Sequence, residues 1–323
     1  MTYRKTFLIF NPFAGALRNG KRERLIDGSL RALRDAGIQA EAVATTGPGT
    51  APAITRRCMK DGADLILVAG GDGTINEVVN GMIYSNVPLG ILPAGTANVL
   101  ATELAIGKRP ETAARALPEC VPERIAAGRI VNHLSPEGRH FLLMAGVGLD
   151  AHIVYRITAG MKATLGKAAY WAGGFSQLGR RFPEFAVEVD GASYRASFAL
   201  VARVRNYGGD LEIAPRISLF EDEFEVVLFS GQSSFVYLKY MLGVVTRRIE
   251  GMQGVTIVRA RKVSCSGPED TAIHAQVDGE YAGRLPLNIE IQPDALTLLV
   301  PPEFRKRRPA RIENPAWTTS PTR

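Results

Sequence analysis

The chain has 323 residues, 46% hydrophobic and 22% charged, with a formal net charge of +7; that length passes the range in which one core keeps growing, so two domains are expected. Cys58, Cys120 and Cys265 are widely spaced and the four histidines lack ligand spacing, which excludes a disulfide framework and a zinc site. The longest apolar stretch, Phe141 to Gly148, is too short to span a bilayer, and 7% aromatic content without a basic–aromatic stripe gives no nucleic-acid surface. Met1 to Phe10 lacks the apolar run of a cleavable leader, so a cytoplasmic protein is expected.

The first third alternates strand and helix patterns. Thr6 to Phe10 is a short apolar strand, and Lys21 to Ala36 is helical, with Leu25, Leu30 and Leu33 on one side and a stop at Gly37. Ile38 to Ala44, Asp64 to Ala69 and Leu89 to Leu92 are further strands. Ala51 to Lys60 and Ile75 to Tyr84 are helices between them. Apolar strands alternating with amphipathic helices predict an α/β domain with a parallel sheet covered on both faces, residues 1–130.

Beyond a boundary near Arg129 to His133 the texture becomes strand-rich. Phe185–Val189, Tyr194–Arg205, Glu225–Phe229, Val255–Cys265, Ile273–Val277, Leu287–Ile291 and Leu296–Val300 read as strands. Helical pattern is confined to Ala151–Leu178 and Ser233–Arg248. Residues 131–300 are therefore predicted to form an antiparallel β domain. Residues 301–323 hold six basic and two acidic residues with several prolines. This basic tail is expected either to dock back on the first domain or to remain disordered.

The strongest local signal is Val68-Ala69-Gly70-Gly71-Asp72-Gly73-Thr74-Ile75-Asn76-Glu77, set between a strand and a helix. Glycines let the backbone turn tightly and approach a ligand, and the helix start offers free N–H groups to an anion. Asp72 is informative, because a carboxylate among phosphates costs about 4 kcal/mol at ~4 Å and an effective dielectric of ~20. A Mg²⁺ ion between Asp72 and phosphates, directly or through water, resolves the repulsion. The alternative is an Asp that merely caps a helix. The segment is neither a Walker A loop nor a GxGxxG fingerprint. Leu92 to Asn98 and Asn11 to Gly15 also follow strands, and Thr45 to Ala51 ends the second strand. In a parallel sheet these turns share the ligand-binding edge.

Taken together, Asn11-Pro12-x-Ala14-Gly15, Gly70-Gly71-Asp72-Gly73-Thr74-x-Asn76-Glu77-Val78, Pro93-x-Gly95-Thr96-x-Asn98, Gly146-x-Gly148-x-Asp150-Ala151 and Val277-Asp278-Gly279-Glu280 resemble the soluble diacylglycerol kinase and sphingosine kinase family. The resemblance runs from Asn11 to Glu280. It implies a phosphofructokinase- or NAD-kinase-like α/β domain followed by a β-sandwich domain, with the active site between them. It implies ATP and Mg²⁺ as cofactors. Implied nucleotide contacts are Asn11, Thr45, Gly70, Gly71, Asp72, Gly73, Thr74, Asn76, Glu77, Gly95 and Thr96. Asp72 is the implied metal residue, and a carboxylate of the Asp278-Gly279-Glu280 turn is the implied proton acceptor.

Because lipid hydroxyls are very weak acids, a positioned carboxylate assists their attack. Glu280 is expected to be that base, with Asp278 orienting it or joining the metal network, and Asp72 as the alternative base. The chain departs from the family at Glu221-Asp222-Glu223-Phe224, which lacks a glycine where some members hold a second, structural Mg²⁺; Asp222 is its candidate ligand. A second departure is Gly49-Thr50-Ala51, without an ionisable side chain. The partners implied are a lipid substrate, such as diacylglycerol, a sphingoid base or phosphatidylglycerol, and peripheral contact with anionic membrane through the tail, Arg180-Arg181 and Arg247-Arg248. An NAD-kinase-like small-molecule kinase and a non-catalytic lipid- or nucleotide-binding regulator are the alternatives.

Overall fold

A computed structural model of the chain describes residues 3–14, 22–148, 182–207, 211–268 and 271–308. The helix expected over Ala151–Leu178, the pair Arg180-Arg181 and the tail beyond residue 308 lie outside the described residues.

The parallel core consists of β1 (Thr6–Phe10), β2 (Ala40–Ala44), β3 (Leu65–Gly70) and β4 (Leu89–Pro93), in the order β2-β1-β3-β4. Helices α1 (Arg22–Asp35), α2 (Ala51–Lys60), α3 (Asp72–Met82), α4 (Val99–Glu103) and α5 (Pro110–Ala116) lie between and after these strands. Alternate residues serve opposite faces. Leu8, Leu65 and Leu67 pack with Leu33 and Ala113, while Ile9, Ile66 and Val68 pack with Val78 and Val79. Both faces are thus covered, as the unbroken apolar runs of β1 and β3 require.

The second half adds β5 (Val121–Asn132), β6 (Ser135–Phe141), β7 (Met144–Gly148), β8 (Phe185–Val189), β9 (Ala192–Ala196), β10 (Phe198–Ala202), β11 (Asn206–Tyr207), β12 (Leu211–Glu212) and β13 (Phe224–Phe229). After α6 (Ser234–Val245) come β14 (Val255–Ala260), β15 (Lys262–Ser266), β16 (His274–Val277), β17 (Glu280–Arg284), β18 (Leu287–Val300) and α7 (Pro302–Arg305). One antiparallel sheet runs β14-β13-β10-β7-β16-β17. It faces β5, β6, β8, β15 and β18 across a core that includes Val147, Val201 and Val226 from one side and Ile130, Val187 and Ile289 from the other. This is the sandwich expected from the strand-rich texture.

Three features depart from the linear reading. Tyr194–Arg205 and Val255–Cys265 are each two strands that change sheets, at Ser197 and Arg261. Strands β5, β6, β7 and β17 had no clear sequence signal. Strand β18 continues past its irregularity between Gln292 and Leu296 to pair with β4, joining the sandwich to the parallel core in one ten-stranded sheet. The first residues of the tail dock there. Phe304 is buried, and Arg305 and Arg308 pair with the buried Glu123 carboxylate at 2.6 and 3.0 Å. Those two cations are therefore engaged within the fold. Among the described residues, no helix is long and apolar enough to cross a membrane.

Candidate active site

Strand β3 ends at Gly70, and α3 begins at once, with an extended Gly71 as its N-cap and no side-chain cap. The helix start therefore lies three residues earlier than the apolar period suggested, and its first-turn N–H groups are left for another acceptor. The crowding is severe. A Cβ on Gly70 would lie 2.7 Å from Thr74 Cβ, and one on Gly71 would lie 3.2 Å from the Gly95 Cα. The loops after β3 and β4 thus touch backbone to backbone. Asn11, at the end of β1, donates from Nδ2 to Thr74 Oγ1 at 3.2 Å and accepts the Phe13 N–H at 2.9 Å. Asn98 closes the β4 loop by bonding both the N–H and the carbonyl of Gly95, at 2.8 and 3.0 Å, and Thr96 is exposed at its tip. The structure therefore brings Asn11, Gly70 to Thr74, Gly95 and Thr96 to one edge.

Other expected contacts serve as struts. The Glu77 carboxylate accepts the N–H groups of Gly49 at 2.8 Å and Ala51 at 3.2 Å, fixing the loop that opens α2. Thr45 is buried, its N–H bonded to the Phe10 carbonyl. Asn76 is 1% exposed, and its amide is engaged away from the phosphate loop. It donates to the His140 carbonyl at 2.9 Å and to Asp278 Oδ2 at 2.8 Å, and it accepts Arg139 at 3.0 Å.

The Asp72 carboxylate accepts the N–H groups of Val99 and Leu100 at 3.1 and 3.2 Å, capping α4. Burial raises its pKa against those bonds. The helix-cap alternative is thus realised, on the neighbouring helix rather than its own. These two donors offset part of the charge that the Asp72 carboxylate would turn toward phosphates. Asp72 also borders a crevice with Asn76, Leu100, Leu142, Leu143 and Asp278. At the far end of α4 the buried Glu103 pairs with Arg205 at 3.5 Å and accepts Asn206 Nδ2 at 3.1 Å, tying this helix to the second half.

The two turn carboxylates have different surroundings. Asp278 and Gly279 both have positive φ and form the two-residue turn between β16 and β17. The Asp278 side chain points inward and accepts Leu142, Leu143 and Met144 N–H groups at 3.0–3.2 Å as well as Asn76. Burial nevertheless pushes its pKa up to about 6, with those donors pulling it down. Glu280 is half-exposed. Its Oε2 meets Arg139 Nη2 at 2.7 Å, and its Oε1 lies where a methyl on Gly73 would have to go. Arg139 therefore links the phosphate-loop helix, through Asn76, to Glu280. Sequence reasoning missed Arg139, and a lone arginine in a weakly patterned hairpin gave no signal.

Asp222, the candidate ligand of a second Mg²⁺, is exposed. The carbonyls of Leu219, Glu221, Glu223 and Ala126 instead accept the guanidinium of Arg203, which is 0% exposed. Burial lowers the Arg203 pKa to about 10, with Asp222 and Glu221 opposing. A buried arginine is the cation at this bend.

A family model described as diacylglycerol kinase catalytic domain matches residues 5–130, and one described as YegS C-terminal NAD kinase beta sandwich-like domain matches residues 144–300. The diacylglycerol kinase of Bacillus subtilis (strain 168) is 30% identical over 289 residues, covering 86% of this chain and 90% of that protein. The chain belongs to the diacylglycerol kinase family. It is accordingly an ATP-dependent kinase with an alcohol acceptor. The kinase is also similar to the diacylglycerol kinase of Staphylococcus aureus (strain MRSA252), at 28% identity over 286 residues, with 87% of each chain covered. A crystal structure of a diacylglycerol kinase from Bacillus anthracis str. Sterne shares the fold, with a TM-score of 0.76 at 22% identity, covering 94% of the kinase and 99% of that chain.

Proposed function

We propose that the chain transfers the γ-phosphate of ATP to a hydroxyl of a membrane glycerolipid of the diacylglycerol class, with Glu280 as the proton acceptor. The observation that carries this reading is the Glu280 carboxylate seated against Gly73, in the first turn of the helix that the glycine loop opens. A phosphate held by that uncapped turn lies beside the carboxylate. The site fits a nucleotide triphosphate through its free helix-start donors and the close glycine contacts. It fits Mg²⁺ through the lone pairs of Asp72 that Val99 and Leu100 leave unused, since this ion is commonly held by one or two carboxylates together with substrate phosphates. Bound there, the ion supplies neutralisation of the transferring charge.

The chain's own residues do the rest. Residues 71–74 orient the phosphates. Glu280 takes the hydroxyl proton as the lipid oxygen bonds to the γ-phosphorus and the bond to the bridging oxygen breaks, releasing ADP. Arg139 fixes the direction of Glu280. Asp278, with four donors on its oxygens, positions the turn and the Leu142–Met144 backbone rather than accepting the substrate proton. The lipid arrives from a membrane surface.

The test is incubation of the pure chain with labelled ATP and Mg²⁺ over a panel containing diacylglycerol, sphingosine, phosphatidylglycerol and NAD, read by chromatography. Label in diacylglycerol is the expected result; label only in NAD, or none in any lipid, overturns the reading. Glu280→Gln is expected to lower kcat by about 10²–10⁴.

A further inference from the structure

Seven large hydrophobic residues are exposed among the described residues, and four of them, Leu238, Met241, Leu242 and Val245, lie on α6. Their exposures are 49, 38, 64 and 54%. Their spacing is i, i+3, i+4, i+7, which is one continuous helical stripe. The adjacent stripe already serves the core. Tyr237, Tyr240 and Val244 are buried, and both tyrosine rings pack on Phe229. Helix α6 therefore has one apolar face for its own sheet and a second that nothing described covers. A stripe of this kind marks a contact surface, whereas single exposed apolar residues do not.

Charge identifies the partner. From Gly231 to Ile249 there is no Asp or Glu, while Lys239, Arg247 and Arg248 are exposed at the stripe and its C-terminal end. Lys239 reaches only the Gln253 carbonyl at 3.4 Å, and Arg247 meets Glu212 at a loose 3.8 Å. With Arg247 loosely paired to Glu212 and the neighbouring Glu250 taken by Arg216, Lys239 and Arg248 are the cations beside the stripe with no acidic partner among the described residues, which matches a helix lying in the interface of an anionic bilayer, apolar side down and cations at the headgroups. A second copy of the chain is a poorer occupant, because pairing two such faces would bring their cations together.

We propose that the outer face of α6 is the membrane-docking surface of this kinase, seating Leu238, Met241, Leu242 and Val245 among the lipids of an anionic leaflet. This rests on the lipid-kinase reading for its purpose, and it places the enzyme where its substrate is. It differs from a purely electrostatic tail contact, since two tail arginines are engaged by Glu123.

The test uses the full chain and vesicles of phosphatidylcholine with or without phosphatidylglycerol, read by sedimentation. Wild type should partition to the anionic vesicles. Leu238→Ser with Leu242→Ser should weaken that partition by about tenfold or more, and Lys239→Gln with Arg248→Gln by about fivefold per charge. Both variants should keep wild-type turnover on a soluble short-chain diacylglycerol while losing turnover on vesicles. Unchanged vesicle binding in the serine variant overturns the proposal. So does a lower melting temperature in that variant, which would put the stripe under another part of the chain, or a dimer in the wild type that the variant dissolves. If no lipid is phosphorylated in either format while the variants still lose binding, the substrate reading fails and the docking face stands.

Discussion

Replacing Gly73 by alanine tests the proposed chemistry more sharply than removing a carboxylate. The added methyl cannot coexist with Glu280 Oε1, which must retreat by roughly 1 Å, and a misplacement of that size costs about 10²-fold in rate. Stability should hardly change. Gly73 is in the first turn of α3, where alanine is favoured by up to ~1 kcal/mol. The half-exposed Glu280 can swing outward, sacrificing a surface pair with Arg139 worth about 0–1 kcal/mol. The variant should therefore melt with wild type, and kcat should fall by about two orders of magnitude. Nucleotide affinity by titration calorimetry separates a displaced Glu280 from a blocked phosphate site, since only the second weakens binding. In a Glu280→Gln background the same alanine should cost little more, because the two act through one group. A kcat within about threefold of wild type, or an equal loss with and without Glu280, would refute the assignment of Glu280.

Asp278 carries a pH signature. Its folded pKa of about 6 lies above the unfolded value of ~3.9, so its contribution to stability is fully present below pH ~4 and is lost as pH rises through 6. Urea unfolding should show wild type losing about 3 kcal/mol relative to Asp278→Asn between pH 4 and 7; a pH-independent difference would show that the four donors balance burial, and a gain with rising pH that they outweigh it. Arg203→Met leaves the carbonyls of Leu219, Glu221, Glu223 and Ala126 without their donor, and a loss of at least about 1–3 kcal/mol, the cost of a buried unsatisfied acceptor, is expected in denaturant unfolding. A chelator should leave the wild-type melting temperature where it is, because arginine is the cation at that bend; a marked drop would mean that a metal holds it after all.

Much was legible in the residues alone. Apolar runs of period two and helical stripes depend on neighbours a few positions away, so β1, β3, α2 and the sandwich class followed from local pattern. The glycine loop was legible for the same reason, since tight turns and uncapped helix starts are written in consecutive residues. Only tertiary structure decided what the side chains at those places do. Asn76 meets Asp278 across 202 positions, and Arg139 reaches Glu280 across 141. Such partners are set by strand register and by how α3 lies against β6, which no window of sequence contains. The same applies to Asp72, whose oxygens each accept one N–H from a neighbouring helix, and to Arg203, whose burial no motif announces. Local chemistry chose the parts and their secondary structure; packing of distant segments chose which carboxylate faces the loop and which is locked in the wall.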